Sequence, residues 1–198
     1  MIKSVIFDWG DVLHIIDQNS FLKEISNNYS VDINKLIEVE LQEKKKLDAG
    51  EIDTDQYINN INNKLGIKIN KTDYFDLLFS KYVKLNKQLI SYIKKLKKNY
   101  NLIILSNNNE PFYNYMKKAT DFESIFDKII VSFKEKIKKP NKLFFEKALI
   151  GLKPEECVYV DNKEDFAKAA ENLGMKIIVY TNYEDFMKDI KKLISPNL

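Results

Sequence analysis

Short apolar runs alternate with amphipathic segments over most of the chain. The runs are brief, rich in β-branched residues and not strictly alternating with polar positions; they span residues 4–7, 102–105, 129–131, 157–160 and 177–180. Such continuous runs are typical of strands that are covered on both faces. The segments between them carry apolar residues at helical spacing, as at Leu89, Ile93 and Leu96. This alternation predicts a parallel sheet with helices on both faces.

One long stretch, residues 15–84, breaks the alternation. It carries helical patterns only, and Gly50 and Gly66 punctuate them. Because the stretch follows the first strand directly, we expect it to form a small all-helical cap over the strand ends. The predicted fold class is therefore α/β: a Rossmann-like parallel sheet flanked by helices, with a core of residues 1–14 and 85–198 and a cap of residues 15–84.

Composition indicates a globular protein. Apolar residues make up 44% of the chain and charged residues 31%, with 5 Gly and 4 Pro, which excludes disordered and collagen-like classes. No apolar run is long enough to cross a bilayer. Cys157 is the single cysteine, so an internal disulfide is excluded and a reducing compartment is favoured. We expect a cytoplasmic protein, a monomer or homodimer, with no membrane partner.

The charge balance narrows the class of ligand. The chain has 32 basic residues against 29 acidic ones, and every basic residue is Lys. Arg supplies planar, bidentate recognition of phosphate and of guanine edges, so its absence argues against nucleic acid as a partner. Any bound anion must therefore be held by Lys, by backbone N–H groups or by a metal ion.

Polar side chains follow three of the predicted strands. Asp8 follows the first, Ser106 and Asn107 follow the second, and Asp161 and Asn162 follow the fourth. In parallel sheets, ligands bind at the carboxyl ends of strands. A hydroxyl with N–H groups at a helix start suits an anion, and oxygen ligands suit Mg²⁺. Taken singly, each also has an ordinary structural explanation: a turn at Asp8, a helix N-cap at Ser106 and Asn107, which taken alone is the favoured explanation there, and an Asx turn at Asp161 or Asn162.

In their order and spacing, however, these motifs resemble the haloacid dehalogenase superfamily, a large group made up mostly of Mg²⁺-dependent phosphohydrolases. The similarity covers essentially the whole chain and rests on Asp8-Trp9-Gly10-Asp11-Val12-Leu13, Leu105-Ser106-Asn107, Lys139-Pro140 and Val160-Asp161-Asn162. The chain is most similar to a subgroup that contains sugar-phosphate phosphatases and the phosphatase domain of soluble epoxide hydrolase. Some members of that subgroup also have Gly at the third position of the first motif.

The resemblance implies a mechanism and a set of site residues. Asp8 would attack phosphorus and form an aspartyl-phosphate, which water then hydrolyses. Ser106, Asn107 and Lys139 would bind the phosphoryl oxygens, so that Asp8, Ser106 and Lys139 form the catalytic set. The implied Mg²⁺ ligands are Asp8, the Gly10 carbonyl oxygen, Asp161 and Asn162. The implied substrate is a small phosphorylated metabolite, with sugar phosphates among the candidates.

The sequence departs from the family pattern at the first and last motifs. Many family phosphatases have an Asp where this chain has Gly10, and that Asp protonates the leaving oxygen. Loss of a general acid costs a factor of about 10² to 10⁴, least where the leaving group is good. Asn162 stands where a second acid usually binds the metal, and a neutral amide oxygen is a weaker ligand. Phe166 occupies the position of a supporting Asn or Asp.

Two alternatives follow from these departures. One is a catalytically degenerate relative that binds a phosphorylated ligand or a protein partner. The other is a metal-independent 2-haloacid dehalogenase, in which Asp8 attacks carbon. Dehalogenases resemble one another in using an Arg near the halide, whereas this chain has none. Metal binding beside Asp8 discriminates the phosphatase from the binding protein.

Overall fold

The structure is a computed structural model that describes residues 1–194. Its strands, in chain order, are β1 (Ser4–Phe7), β2 (His14–Ile16), β3 (Val83–Leu85), β4 (Asn101–Ser106), β5 (Lys128–Val131), β6 (Cys157–Asp161) and β7 (Lys176–Val179). Five of them form a parallel sheet in the order β5-β4-β1-β6-β7, while β2 and β3 form a separate antiparallel pair. The predicted α/β fold class is confirmed.

The helices follow the amphipathic segments. In chain order they are α1 (Gln18–Tyr29), α2 (Ile33–Ala49), α3 (Thr54–Leu65), α4 (Lys71–Leu77), α5 (Lys87–Leu96), α6 (Glu110–Ala119), α7 (Phe122–Ile125), α8 (Ser132–Glu135), α9 (Lys142–Leu149), α10 (Glu164–Glu171) and α11 (Tyr183–Leu193). A π-helical turn (Leu78–Tyr82) continues α4, and a 3₁₀ turn (Pro154–Glu156) precedes β6. Within residues 1–194, no helix combines the length and apolar character that a bilayer crossing requires.

The central strand β1 explains the lack of apolar–polar alternation. It pairs with β4 on one side and β6 on the other, so that Ser4 lies opposite both Asn101 and Cys157. Successive side chains of a strand point to opposite faces of the sheet. Val5 and Phe7 accordingly enter the apolar core on one face, and Ile6 enters the core on the other. Because both faces of the strand are buried, its sequence shows no regular alternation of apolar and polar residues.

Helices α1 to α4, called here the inserted helices, build an apolar cluster of their own. Its fully buried members include Phe21, Leu36 and Ile61. The chain enters this region through β2 and leaves it through β3, which the sequence pattern did not predict. The predicted limits of the cap, at residues 15 and 84, fall inside these two strands, and the division into core and cap stays a prediction. Residues 195–198 of the predicted core lie outside the described residues.

The carboxyl end of α2 rests directly on the segment that follows β5. Gly50 ends the helix in the left-handed conformation, with φ of 65°. A Cβ atom at this position would collide with the carbonyl oxygen of Phe133. Glycine is required here for two reasons, because both the backbone conformation and the close approach exclude a side chain. This contact fixes one end of the inserted helices against the segment that follows β5.

Candidate active site

The strand order brings three of the predicted site residues together. Asp8 follows β1, Ser106 ends β4 and Asp161 ends β6, and β1 lies between the other two strands. Their carboxyl ends therefore meet at one edge of the sheet, where ligands bind in folds of this kind. Ser106 and Asp161 are fully buried, and Asp8 is 7% exposed.

Lys139 lies between the two carboxylates. Its Nζ atom is 2.8 Å from Asp8 Oδ1 and 2.7 Å from Asp161 Oδ2, and the residue is 2% exposed. Removing charges from water is costly unless they are paired and hydrogen-bonded. The geometry provides the pairing, since one ammonium group serves two acids. The three groups together carry a net charge of −1, so the cluster attracts a further cation.

Asp161 is held on both of its carboxylate oxygens. Oδ2 accepts hydrogen bonds from Lys139 and from the Tyr159 hydroxyl, and Oδ1 accepts one from the backbone N–H of Lys163 at 2.8 Å. Burial and the nearby charge of Asp8 raise the pKa of Asp161, while Lys139 opposes that rise. Burial and the charge of Asp161 raise the pKa of Tyr159 well above its ordinary value. The phenol therefore stays protonated and donates.

Tyr159 is a site residue that the sequence reasoning missed. It lies two positions before Asp161 on β6, so both side chains are on the same face of the sheet. The Lys139 ammonium donates to its hydroxyl at 3.0 Å. A buried tyrosine at this spacing from the predicted metal ligand was a signal available in the sequence.

Asn107 connects the loop after β4 to Lys139. Its Oδ1 atom accepts the backbone N–H of Lys139 at 2.7 Å, and its Nδ2 atom donates to the Lys139 carbonyl oxygen at 3.1 Å. The Asn107 side chain thus fixes the backbone of Lys139. Phe166, predicted to replace a polar supporting residue, lies with its ring centre 5.0 Å from Lys139 Nζ. The aromatic ring attracts the ammonium through its π face.

Five buried side-chain polar atoms of the described residues have no hydrogen-bond partner, and two of them are Ser106 Oγ and Asn162 Oδ1. The others are Asp8 Oδ1, which has its ion pair with Lys139, Trp9 Nε1 and His14 Nδ1. A buried polar atom without a hydrogen bond costs about 1–3 kcal/mol, and natively folded proteins have few of them. A hydroxyl oxygen that can donate suits an anion, and an amide oxygen suits a cation. Ser106 and Asn162 belong to the residues to which the family resemblance gives phosphate-binding and metal-binding roles.

The oxygen atoms near Asp8 fit Mg²⁺ with few charged ligands. Across residues 1–194, no three His, Cys, Asp or Glu side chains gather into a metal-binding group. The predicted ligands are two carboxylates and two neutral oxygens, from Gly10 and Asn162. Mg²⁺ is commonly bound by one or two carboxylates, with waters and substrate phosphate completing the shell. The unpartnered Asn162 oxygen is consistent with such a site.

Gly10 has space for a side chain. No heavy atom lies within 4 Å of the position that a Cβ atom would occupy, and the Gly10 backbone is not left-handed. The absence of a carboxylate at this position is therefore not imposed by packing. The neighbouring Asp11 is exposed and adopts a left-handed conformation with φ of 55°.

Comparison with known proteins identifies the family. Residues 5–180 match the family described as haloacid dehalogenase-like hydrolase. Because the match covers most of the chain, the protein belongs to this hydrolase family, and the resemblance inferred from the motifs is confirmed.

Two curated relatives are similar over nearly the whole chain. The D-ribitol-5-phosphate phosphatase of Bacteroides thetaiotaomicron is 20% identical over 206 residues, which cover 98% of this chain and 100% of the phosphatase. The drimenol cyclase of Aspergillus calidoustus is 22% identical over 199 residues, or 98% of this chain. The chain spans only 37% of the length of that cyclase.

Solved structures share the fold. A haloacid dehalogenase family enzyme from Bacteroides thetaiotaomicron, in complex with magnesium and inorganic phosphate, superposes with a TM-score of 0.82 at 22% identity. The superposition covers 96% of this chain and 100% of that enzyme. The L-2-haloacid dehalogenase of Xanthobacter autotrophicus is more distant, with a TM-score of 0.64 at 17% identity, covering 99% of this chain and 85% of the dehalogenase.

Proposed function

We propose that the protein is a magnesium-dependent phosphatase of small phosphorylated metabolites, with sugar phosphates as the first substrates to test. The observation that carries the proposal is the buried Lys139, which lies between the Asp8 and Asp161 carboxylates. The unpartnered Ser106 hydroxyl, at the end of the neighbouring strand β4, supports it. The phosphatase from Bacteroides thetaiotaomicron, similar over the full length of both chains, supports the same reaction class.

Asp8 is the proposed nucleophile. Lys139 holds its Oδ1 atom, and the second carboxylate oxygen attacks phosphorus as the bond to the leaving oxygen breaks. The Ser106 hydroxyl binds the transferring phosphoryl oxygens, and the positive charge of the Lys139 ammonium beside Asp8 stabilises the transition state. Water then attacks the aspartyl-phosphate, which releases inorganic phosphate and restores the Asp8 carboxylate.

We propose Asp8, the Gly10 carbonyl oxygen and Asn162 as the direct Mg²⁺ ligands. When bound, the ion supplies positive charge that offsets the repulsion between a carboxylate and a phosphate. For Asp161, predicted from the sequence as a metal ligand, we propose a positioning role, because its Oδ2 atom accepts hydrogen bonds from both Lys139 and the Tyr159 hydroxyl. It positions Lys139 and keeps the ammonium directed at Asp8.

The absence of a side chain at Gly10 bears on the choice of substrate. No carboxylate at this position protonates the leaving oxygen, so the proton comes from solvent. Substrates whose leaving oxygen needs little protonation are favoured by about 10² to 10⁴ in relative rate, the usual contribution of a general acid. Aryl, acyl and anomeric phosphates are therefore expected to be hydrolysed faster than primary alkyl phosphates.

The test is hydrolysis of p-nitrophenyl phosphate and a panel of sugar and polyol phosphates, with Mg²⁺ and with EDTA. Asp8→Asn removes the nucleophile with almost no change in shape, and Asp32→Asn makes the same chemical change at the exposed N-cap of α2. We expect Mg²⁺-dependent turnover in the wild type and in Asp32→Asn, and none in Asp8→Asn. Equal turnover in Asp8→Asn would reject the assignment of Asp8.

A second candidate function is a phosphate-ligand binding protein without turnover. Gly10 and the neutral Asn162 favour it, because together they remove the leaving-group acid and one metal-binding charge. Calorimetric binding of a phosphorylated metabolite, combined with no hydrolysis by correctly folded protein, would select this candidate over the phosphatase.

A further inference from the structure

The end of α2 makes a charged contact with the loop that follows β4. Asp48, in the last turn of the helix, accepts a hydrogen bond on Oδ1 from Asn109 Nδ2 at 2.6 Å. Its other oxygen, Oδ2, is 3.0 Å from Lys44 Nζ, one turn earlier on the same helix. Asn109 is 3% exposed and the Asp48 side chain is 16% exposed, so the contact is partly buried. It joins the inserted helices to the same loop that carries Ser106 and Asn107.

The backbone near Asp48 contacts the core as well. The Ser132 hydroxyl donates to the Asp48 carbonyl oxygen, and its Oγ atom accepts the backbone N–H of Asn108 at 3.0 Å. Lys136 donates to the carbonyl oxygen of Gly50. The last turn of α2 is therefore held against two core segments, the loop 106–109 and the start of α8.

Asn109 has two separate tasks at this junction. Its Oδ1 atom accepts the N–H of Phe112 at 3.2 Å and thereby caps α6. Its Nδ2 atom is left to bind Asp48. The cap on α6 needs only the oxygen, so the amide nitrogen is the part of Asn109 that serves the contact with α2.

We propose that Asp48 is a positioning residue for phosphate binding: its carboxylate fixes Asn109 and so orders the loop 106–109 while the inserted helices lie against the sheet. The proposal rests on the proposed phosphatase function. A hydrogen bond to an ionised acceptor is about twice as strong as a neutral one, and it offsets the entropy cost of ordering a loop. Phosphate affinity then depends on a residue that need not touch phosphate.

The surrounding charges keep Asp48 paired. Burial would lower the pKa of Lys44, yet the neighbouring carboxylates of Asp48, Glu40 and Asp11 raise it. Lys44 therefore stays charged beside Asp48. The Asp48 carboxylate, held by Lys44 on one oxygen, presents the other to Asn109 in a fixed direction.

Asn109→Asp separates the two tasks of Asn109. Asp is as good an N-cap as Asn, so the cap on α6 is kept. The Asp48 contact, in contrast, changes from attraction to repulsion between two carboxylates. Adding Asp48→Asn exchanges donor and acceptor and restores the hydrogen bond. Asn70→Asp is the matched control, because Asn70 caps α4 through its oxygen and is exposed.

The measurements are KM and kcat for p-nitrophenyl phosphate in Mg²⁺, the inhibition constant of inorganic phosphate, the thermal midpoint, and hydrogen exchange of the 106–110 backbone. For Asn109→Asp we expect KM and the inhibition constant to rise about tenfold, a coupling of ordinary size. Exchange at 106–110 should be faster. The double variant should return to within about threefold of wild type, and Asn70→Asp should match wild type.

Wild-type constants in Asn109→Asp would overturn the proposal. It would also be overturned if the double variant regained its thermal midpoint without regaining phosphate affinity, since a purely structural contact predicts that pattern. If the wild type neither binds nor hydrolyses phosphate, the proposed function fails and the role of Asp48 in phosphate binding fails with it. Hydrogen exchange would then show separately whether the Asp48–Asn109 contact orders the loop.

Discussion

Two lysine–carboxylate clusters in this protein have opposite arrangements of charge. At the strand ends, the cation Lys139 lies between two acids, Asp8 and Asp161. Among the inserted helices, the acid Glu43 lies between two cations, Lys46 at 2.8 Å and Lys64 at 2.7 Å. The first cluster joins two strands and a loop, whereas the second joins α2 to α3.

The clusters differ in how completely they are satisfied. Glu43 also accepts a hydrogen bond from Asn60 at 2.7 Å, and its lysine partners are 44% and 41% exposed, so water completes their shells. Burial alone would raise the pKa of Glu43, but the hydrogen bonds from Lys46, Lys64 and Asn60 outweigh it and lower the pKa to about 2. This cluster is complete as it stands.

The cluster at the strand ends is incomplete. The Lys139 and Asp161 side chains are 1% and 0% exposed, the group carries an excess negative charge, and unpartnered oxygens of Ser106 and Asn162 lie at neighbouring positions of the fold. Buried polar groups without partners are rare in structural clusters and recur at binding sites. A buried charge alone therefore does not indicate a functional site. Buried polar atoms that lack hydrogen-bond partners do.

The largest expected effect is that of Lys139→Met, which removes the cation from the cluster at the strand ends. Without the ammonium, two buried carboxylates face each other, and breaking a buried ion pair costs about 3–5 kcal/mol. We expect the free energy of unfolding, measured with urea at pH 7, to fall by this amount and Mg²⁺-dependent hydrolysis to disappear. Adding Asp161→Asn should recover part of the stability and none of the activity. A loss below about 1 kcal/mol would contradict the pairing.

Gly10→Asp tests whether the site lacks only a leaving-group acid. The space at Gly10 accommodates a side chain, so the variant should fold. We expect hydrolysis of a primary alkyl phosphate to rise by about 10²-fold, the lower end of general-acid contributions. Hydrolysis of p-nitrophenyl phosphate, whose leaving group needs no proton, serves as the internal control and should change little. Equal gains on both substrates would point to altered metal binding instead.

Glu43→Gln applies the same kind of change to the complete cluster. Because the partner lysines are partly exposed and screened by water, we expect a loss of only about 1 kcal/mol in unfolding free energy. The kcat and KM for p-nitrophenyl phosphate should match those of the wild type. A loss of activity would show that the two clusters are connected.

The smallest expected effect is the pH dependence of the stability that Glu43→Gln removes. The folded-state pKa of Glu43, about 2, lies below its ordinary value of 4.5. Its contribution to stability is therefore fully present above pH 4.5 and is lost as the pH falls toward 2. The stability difference between the wild type and Glu43→Gln should be smaller at pH 3 than at pH 6. A difference that grows on acidification would reverse the sign.

The sequence predicted the sheet better than its connections. The buried strands were identified because double-sided burial leaves continuous apolar runs without polar alternation. The pair β2 and β3 was missed, since each strand has three residues and too short a pattern to distinguish from a helix end. Their pairing depends on residues 67 or more positions apart, such as Ile16 and Val83.

For the site, the order of motifs predicted which residues matter but not how they are arranged. Nothing local indicates that Lys139 bridges two acids or that the Asn107 side chain turns to the Lys139 backbone. The Asp48–Asn109 contact joins positions 61 residues apart, and no periodicity encodes it. Such pairings come from tertiary packing, which a single sequence does not display.

The antiparallel pairing of β2 with β3 has a consequence for redesign. Ile16 and Val83 are register partners, so the chain leaves this strand pair and returns to it at adjacent points. Paired antiparallel ends are the geometry that a tight two-residue turn can close. The segment between β2 and β3 can therefore be exchanged for that of a relative, or replaced with a turn, without a change in strand order. The same junction is open to natural insertion of a different segment and to deliberate redesign.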